Sequence, residues 1–512
     1  MAWSFGACRT FLGDRTSMST TTWQGPTPRR ADNVELAPRI SEDWLSLIIG
    51  LFIFVLALAG IANVDLLGWV VTTSVWSDAG KALGTVSKSY ASLGGIGALF
   101  ATYIALLVVL SGAAAALKTD IKRFALAFTA VFWIAYASWI AGNFANFAAV
   151  TPAELQKFGI SWSLKLTNEG AYIFALIVGL VIANVFPRFA EAIKDAVRPE
   201  LYIKIAIVIL GGFFAVTAAG KLSLASSVLL RGVAAIIEAY LIYWAVVYFV
   251  ARKWFGFNRE WAAPLASGIS ICGVSAAIAT GGAIRARPMI PVLVSSLVVV
   301  FAVVEVLVLP FLAQTFLSHE PLVAGAWMGL AVKTDGAAVA AGAITESLIL
   351  AQNAAEGIKY QPGWILGTAA TIKVFIDIFI GIWAFVLGYI WTNHINRTAD
   401  KASVREIWER FPKFVIGFVV TFVVGLYLAL ATPAGIAAKV PAAMSEANTI
   451  RVVFFILTFF SIGVLSNFKK LWQEGIGRLA AVYVVSLFGF VIWVGLLISW
   501  LFFSGVKPPL VS

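Results

Sequence analysis

Long apolar stretches separated by short polar turns recur from Trp44 to the C-terminus. Full spans are read at 45–64, 94–116, 124–149, 170–187, 201–219, 229–251, 289–316, 363–391, 413–432, 451–467 and 477–503. A run of about 18 apolar residues crosses a hydrocarbon core of about 30 Å as a helix. Lipid offers the backbone no hydrogen bonds, so such runs must be helical. The alternating pattern of an outer-membrane barrel is absent. Two further segments, 262–284 and 323–349, are apolar but rich in Gly, Ala, Ser and Thr. The pattern predicts an all-α polytopic membrane protein of about 11–13 transmembrane helices, depending on whether these soft segments cross or turn back.

Composition agrees. The 512-residue chain is 61% hydrophobic and 12% charged, with a mean hydropathy of +0.92. Its net charge of +11 suggests a nucleic-acid partner only until the basic residues are placed. They fall in short loops, the signature of membrane topology, so no nucleic acid is expected. Arg29, Arg30 and Arg39 put the N-terminus inside. Lys118, Lys122 and Arg123, then Arg188, Lys194 and Arg198, then Arg252, Lys253 and Arg259 mark inside loops. So do the stretch from Arg397 to Lys413 and the group Lys469, Lys470 and Arg478. The expected location is a bacterial plasma membrane, with the N-terminus cytoplasmic and the C-terminus periplasmic. Trp44, Trp254, Trp261, Trp391 and Trp472 stand at span ends, as interfacial anchors do. Residues 1–43 are polar and carry no apolar core of a signal peptide, so they read as a disordered cytoplasmic tail. Residues 44–165 read as additional N-terminal helices and 166–505 as a transporter core.

The soft segments carry the candidate chemistry. GISICGVSAAIATGGAI from Gly268 aligns without gaps on GLAVKTDGAAVAAGAI from Gly329. Gly268 matches Gly329, Ala276 matches Ala337, and Gly281 matches Gly342. Small residues at this density suit close helix packing. They also suit broken or re-entrant helices, whose freed amides and carbonyls face a substrate in transporters. Lys333 and Asp335 lie inside the second segment, where a charge needs a cavity or a partner. Ser270, Ser275 and Thr280 give the first segment polar handles. Arg285 and Arg287 follow it directly, and a re-entrant path returns them inside. A weaker likeness links LIVGLVIANVFP and VILGGFF to FVVGLYLALATP and FFSIGVL, in opposite orientations, so inverted repeats are expected.

Other charges fall in mid-span. Lys373 and Asp377 share a helix face at i,i+4. Glu305 stands alone, and Glu238 is expected to pair with Arg231. Lys204 and Lys221 are expected to snorkel. Cys8 and Cys272 show no disulfide pattern. His319 and His394 are not spaced as metal ligands, so no metal site is expected. There is no Walker P-loop, which argues against an ATP motor. The chain is not expected to be an enzyme or to need a cofactor.

At GLVIANVFP, VILGGFF, GISICGVSAAIA with Arg285 after it, the VAAG at 339–342 and FPKFVIGF at 411–418, the sequence resembles the bacterial sulfate exporter family of the YeiH type. The resemblance covers roughly 170–505. It implies distant kinship with cation/proton antiporters, inverted repeats and crossed discontinuous helices. Two stretches depart from the family pattern. Ala331-Val332-Lys333-Thr334 stands where the family has Ser-Ile-His-Glu, and Asp377 follows Lys373 where the family tends to have Arg. The expected function is secondary transport of a small, sulfate-like anion coupled to a proton or cation. A cation/proton antiporter is the alternative; a membrane subunit without transport or a membrane-embedded enzyme is a more distant one. Substrate contacts are expected from Ser270, Cys272, Gly273, Ser275, Lys333, Thr334 and Lys373, and coupling-ion contacts from Asp335, Asp377 and Glu305. Lys333 is expected near Asp377 or Glu305. Besides the substrate anion and the coupling proton or cation, the expected partners are the lipid bilayer and possible homodimer copies.

Overall fold

The computed structural model describes residues 40–150, 152–395, 405–469 and 477–511. Residues 1–39 of the predicted tail, with Cys8, lie outside them, as do Arg397, Lys401, Lys470 and Trp472.

The chain is a bundle of helices: α1 (Glu42–Leu58), α2 (Gly94–Ala116), α3 (Ile121–Gly142), α4 (Tyr172–Val185), α5 (Pro199–Ala219), α6 (Leu222–Trp254), α7 (Arg259–Ser270), α8 (Ser275–Ala283), α9 (Met289–Leu317), α10 (Pro321–Ala331), α11 (Asp335–Ala355), α12 (Trp364–Ile395), α13 (Lys413–Leu430), α14 (Val440–Leu465) and α15 (Gly477–Phe503). Among the described residues, ten helices are long and apolar enough to cross a membrane. The shorter α4, of 14 residues, runs along α14, where a Cβ on Gly179 would stand 2.3 Å from the Phe460 carbonyl. Its end is local. Pro187 disfavours the helical region at the residue before it, and Phe186 turns out at φ −120°, ψ 56°. The sequence pattern missed one feature: a two-stranded antiparallel ribbon, β1 (Val71–Thr73) with β2 (Leu83–Thr85), between α1 and α2.

The buried centre is α5. Small residues let its neighbours close on it. A Cβ on Gly211 would meet the Phe418 carbonyl at 2.4 Å, and one on Gly50 of α1 would meet Val208 at 2.6 Å. With little hydrophobic drive between helices in lipid, such close packing and the Thr421 hydroxyl on the Val208 carbonyl (2.7 Å) hold the contact. Lys204 does not snorkel. It is buried, 2.8 Å from Asp43 of α1 and 3.5 Å from Glu200, because α1 packs over the α5 N-terminus.

Both soft segments are interrupted, and both turn back. In the first, the Thr280 hydroxyl meets that of Ser267 at 2.7 Å, so α7 and α8 lie side by side. Its ends close where the Arg287 amide donates to Glu260 at 2.8 Å. In the second, Asn353 near the end of α11 donates to the Ser318 carbonyl just before α10, at 2.8 Å. The 29-residue α9 joins the mouth of one hairpin to the mouth of the other. At 1.5 Å per residue it is about 43 Å long. The hairpins therefore enter from opposite faces of the bundle, and Arg285 and Arg287 return to the face they left.

Candidate functional site

The two tips meet. The Gly273 amide donates to the Lys333 carbonyl at 2.7 Å, which ties the turn Ile271–Val274 to the turn Val332–Thr334. A Cβ on Gly273 would lie 2.2 Å from Val298, so only glycine allows this approach. Each tip has a local cause. At Ile271 the backbone leaves the helix (φ −107°, ψ −82°) ahead of Cys272 and Gly273. Val332 is extended, and Thr334 caps α11 by accepting the Ala337 amide at 3.1 Å. Breaking two helices here leaves the carbonyl ends of α7 and α10 and the amide ends of α8 and α11 at one place, with opposite partial charges.

Lys373 of α12 sits in the middle. Its ammonium donates to the Ile271 carbonyl at 2.7 Å and to the Lys333 carbonyl at 3.3 Å, and it lies 3.6 Å from Asp335. Cationic groups belong at helix C-termini, and this one serves both breaks. Asp335 also accepts from the Cys272 thiol at 2.8 Å. Asp377, one turn beyond Lys373, is fully buried beside Asp335, and among the described residues no donor reaches either of its oxygens or the second oxygen of Asp335. One donor atom each from Cys272, Asp335 and Asp377 lies within 4.8 Å of the others. No metal site is expected from the spacing of the histidines, yet this donor set could hold a single cation. The Lys373 ammonium already stands against it, so such an ion would compete with a built-in positive charge.

Lys333 is used differently. Its backbone amide donates to Glu305 at 3.0 Å. Its ammonium donates to the Leu330 carbonyl at the end of α10 and lies 4.6 Å above the Tyr243 ring. Lys333 therefore lies beside Glu305, as expected, but through its backbone amide; the ion pair at the crossing is that of Lys373 with Asp335. Glu305 also accepts from Tyr483 at 2.7 Å. Glu238 does not pair with Arg231, which turns to Ser227 and to the Phe502 carbonyl; it accepts from Tyr243 instead. Glu238 and Tyr243 bound a π-helical turn that carries both toward the centre. Ser270 is buried beside the first break with its hydroxyl unpartnered, and Ser275 opens α8. Tyr243 and Tyr483 are isolated tyrosines in apolar spans, and nothing in the sequence marks them as the ones that reach the carboxylates.

The chain matches the family model described as "Conserved hypothetical protein 698" over residues 155–482. A UPF0324 membrane protein of Nitrosomonas europaea is 40% identical over 92% of this chain and 97% of its own length. A protein of Archaeoglobus fulgidus is 49% identical over 32% of this chain and 97% of its own length. A UPF0324 membrane protein of Rhodopirellula baltica is 30% identical over 61% of this chain and 53% of its own length. The matched region contains both hairpins, α12 and all the buried charges of the crossing, so the chain belongs to the UPF0324 family of membrane proteins, the YeiH type that its soft segments resemble.

Proposed function

We propose that this protein is a secondary transporter of a small, sulfate-like anion across the bacterial plasma membrane, coupled to a proton or cation at Asp335 and Asp377. One observation carries the reading: Lys373 held at the meeting of two hairpin tips, against a pair of carboxylates with spare oxygens. The pair Asp335–Asp377 presents two carboxylates to one ammonium. One further positive charge, a proton or a cation, balances it. An anion at the amide ends of α8 and α11 would draw on the same ammonium, and that competition couples the two ligands. A charge at the membrane centre costs roughly 2.5–3.5 kcal/mol on insertion scales, so groups placed there need a use or a partner. The facing hairpins also support the inverted-repeat architecture. On the positive-inside rule, the face bearing Arg198, Arg287 and Arg410 is cytoplasmic.

The test is sulfate uptake into proteoliposomes with and without a pH gradient. Uptake that follows the gradient and is lost in Lys373→Met is the expected result. A specific observation favours the second reading, cation/proton antiport: the three-atom donor set of Cys272, Asp335 and Asp377. Sodium-driven proton flux without sulfate movement would decide for it.

A further inference from the structure

A cleft of about 610 Å³ opens beside the N-terminus of α5, on the face that carries Arg198. Its walls are mostly apolar, Val274, Ile278 and Val292 among them, with Arg198, Glu200, Ser295 and Ser296 among the polar positions. Inward lies a second, much smaller pocket of about 10 Å³, lined by Thr334, Gly336 and Thr458. That is about the room needed for one water. Thr334 and Gly336 flank Asp335, so the small pocket touches the hairpin crossing. Pro199, Glu200 and Val299 line both spaces. Of these three, Glu200 alone has a polar side chain.

We infer that the cleft is the aqueous route from the arginine-bearing face to the crossing, and that Glu200 is its inner gate. The setting of Glu200 fits a group that moves. Among the described residues its buried oxygen Oε2 makes no hydrogen bond; it lies 3.5 Å from the Lys204 ammonium. Lys204 is held more closely by Asp43 of α1, at 2.8 Å. At the rim, Glu42 of α1 binds Arg198 at 2.6 Å. On the inner side α11 contributes Asp335. At this level α9 and α14 present Ser295 and Thr458, which are uncharged. Lys204 therefore keeps its main partner if Glu200 swings away, and the swing joins the two spaces. The inference deepens the transport reading by naming the path to its site, but its test needs no substrate.

The test is thiol accessibility in the full chain, with Cys8→Ser and buried Cys272 retained as background. Ser296→Cys reports the cleft and Thr458→Cys the inner pocket. In sealed vesicles of known orientation, a water-soluble methanethiosulfonate should modify Ser296→Cys from the arginine-bearing face only. Thr458→Cys should react at least tenfold more slowly. Glu200→Ala should raise the Thr458→Cys rate at least tenfold, whereas Glu200→Gln, of the same size, should not. If Glu200→Ala does not fold, Val299→Ala trims the opposite wall and should raise the same rate. Modification of Ser296→Cys from the other face, or by a lipid-soluble maleimide alone, overturns the route. An unchanged Thr458→Cys rate after either trimming overturns the gate. Sulfate uptake by the unsubstituted chain tests the transport reading separately.

Discussion

The two hairpins share a plan and differ in how firmly each is held. Both break at aligned positions: α7 ends at Ser270 and α10 at Ala331. Around the second break everything is fixed. Every residue of α10 is buried, Thr334 caps α11, and the charges Lys333 and Asp335 flank the turn. The first break has no charge of its own. Its returning arm α8 has nine residues, begins at Val274 without a side-chain cap, and exposes Ile278. A third helix supplies the positive charge that the two turns share. The difference teaches that one hairpin is a wall and the other a looser partner resting on it, and that α12 reads both.

The largest effect should come from removing the shared charge. Lys373→Met leaves Asp335 and two carbonyls buried without their cation, at a cost of about 3–5 kcal/mol. Thermal unfolding in detergent should register it, and adding Asp335→Asn should recover part of the loss. An unchanged midpoint would mean that the turns hold without the lysine.

The glycines sharpen the contrast. A Cβ at Gly329 would stand 2.7 Å from the Ala369 backbone oxygen, which cannot turn aside. At Gly268 the nearest atom, at 2.8 Å, is a Val294 methyl. Gly329→Ala should cost about 1–3 kcal/mol and Gly268→Ala less, compared by denaturant midpoints. Equal losses would erase the distinction between wall and partner.

Smaller differences follow at the caps. Thr334→Ala should lose about 1 kcal/mol. Val274→Ala, at the uncapped counterpart, removes no cap and should lose less by the same measurement. Asp377→Asn should keep the Lys373 contacts to Ile271, Lys333 and Asp335 and cost less than Lys373→Met, while pH-driven uptake disappears. Normal coupling in that variant would remove Asp377 from the mechanism.

Much of this was legible in the sequence because lipid permits few solutions. Apolar run length gave the crossing helices, and the Gly/Ala/Ser/Thr segments with Arg285 and Arg287 behind them offered the re-entrant path as one of two readings. The Thr334 cap that sets the second restart was not read from the sequence. Partners were harder. Lys204 and Glu238 each found a group that the sequence did not point to, and Lys333 reached the expected Glu305 through its backbone amide, because the choice depends on which helices touch. Asp43 reaches Lys204 only because α1 lies on α5, and Tyr243 reaches Glu238 only through a π-helical turn. The α4 span came out short for a local reason, Pro187, that apolar length alone does not weigh.

The tip of the first hairpin also bears on how the chain is made. The Ile271 carbonyl receives its ammonium from a residue 102 positions later, and the Gly273 amide waits for Lys333. At 5–20 residues per second the ribosome needs about 5–20 s to deliver Lys373. During that interval a half-length re-entrant loop with open backbone groups cannot rest in lipid. It must stay beside water or the insertion machinery until α12 emerges. Its final seating is therefore a late, post-insertional event, and a chain truncated before α12 would leave this loop exposed to membrane quality-control proteases.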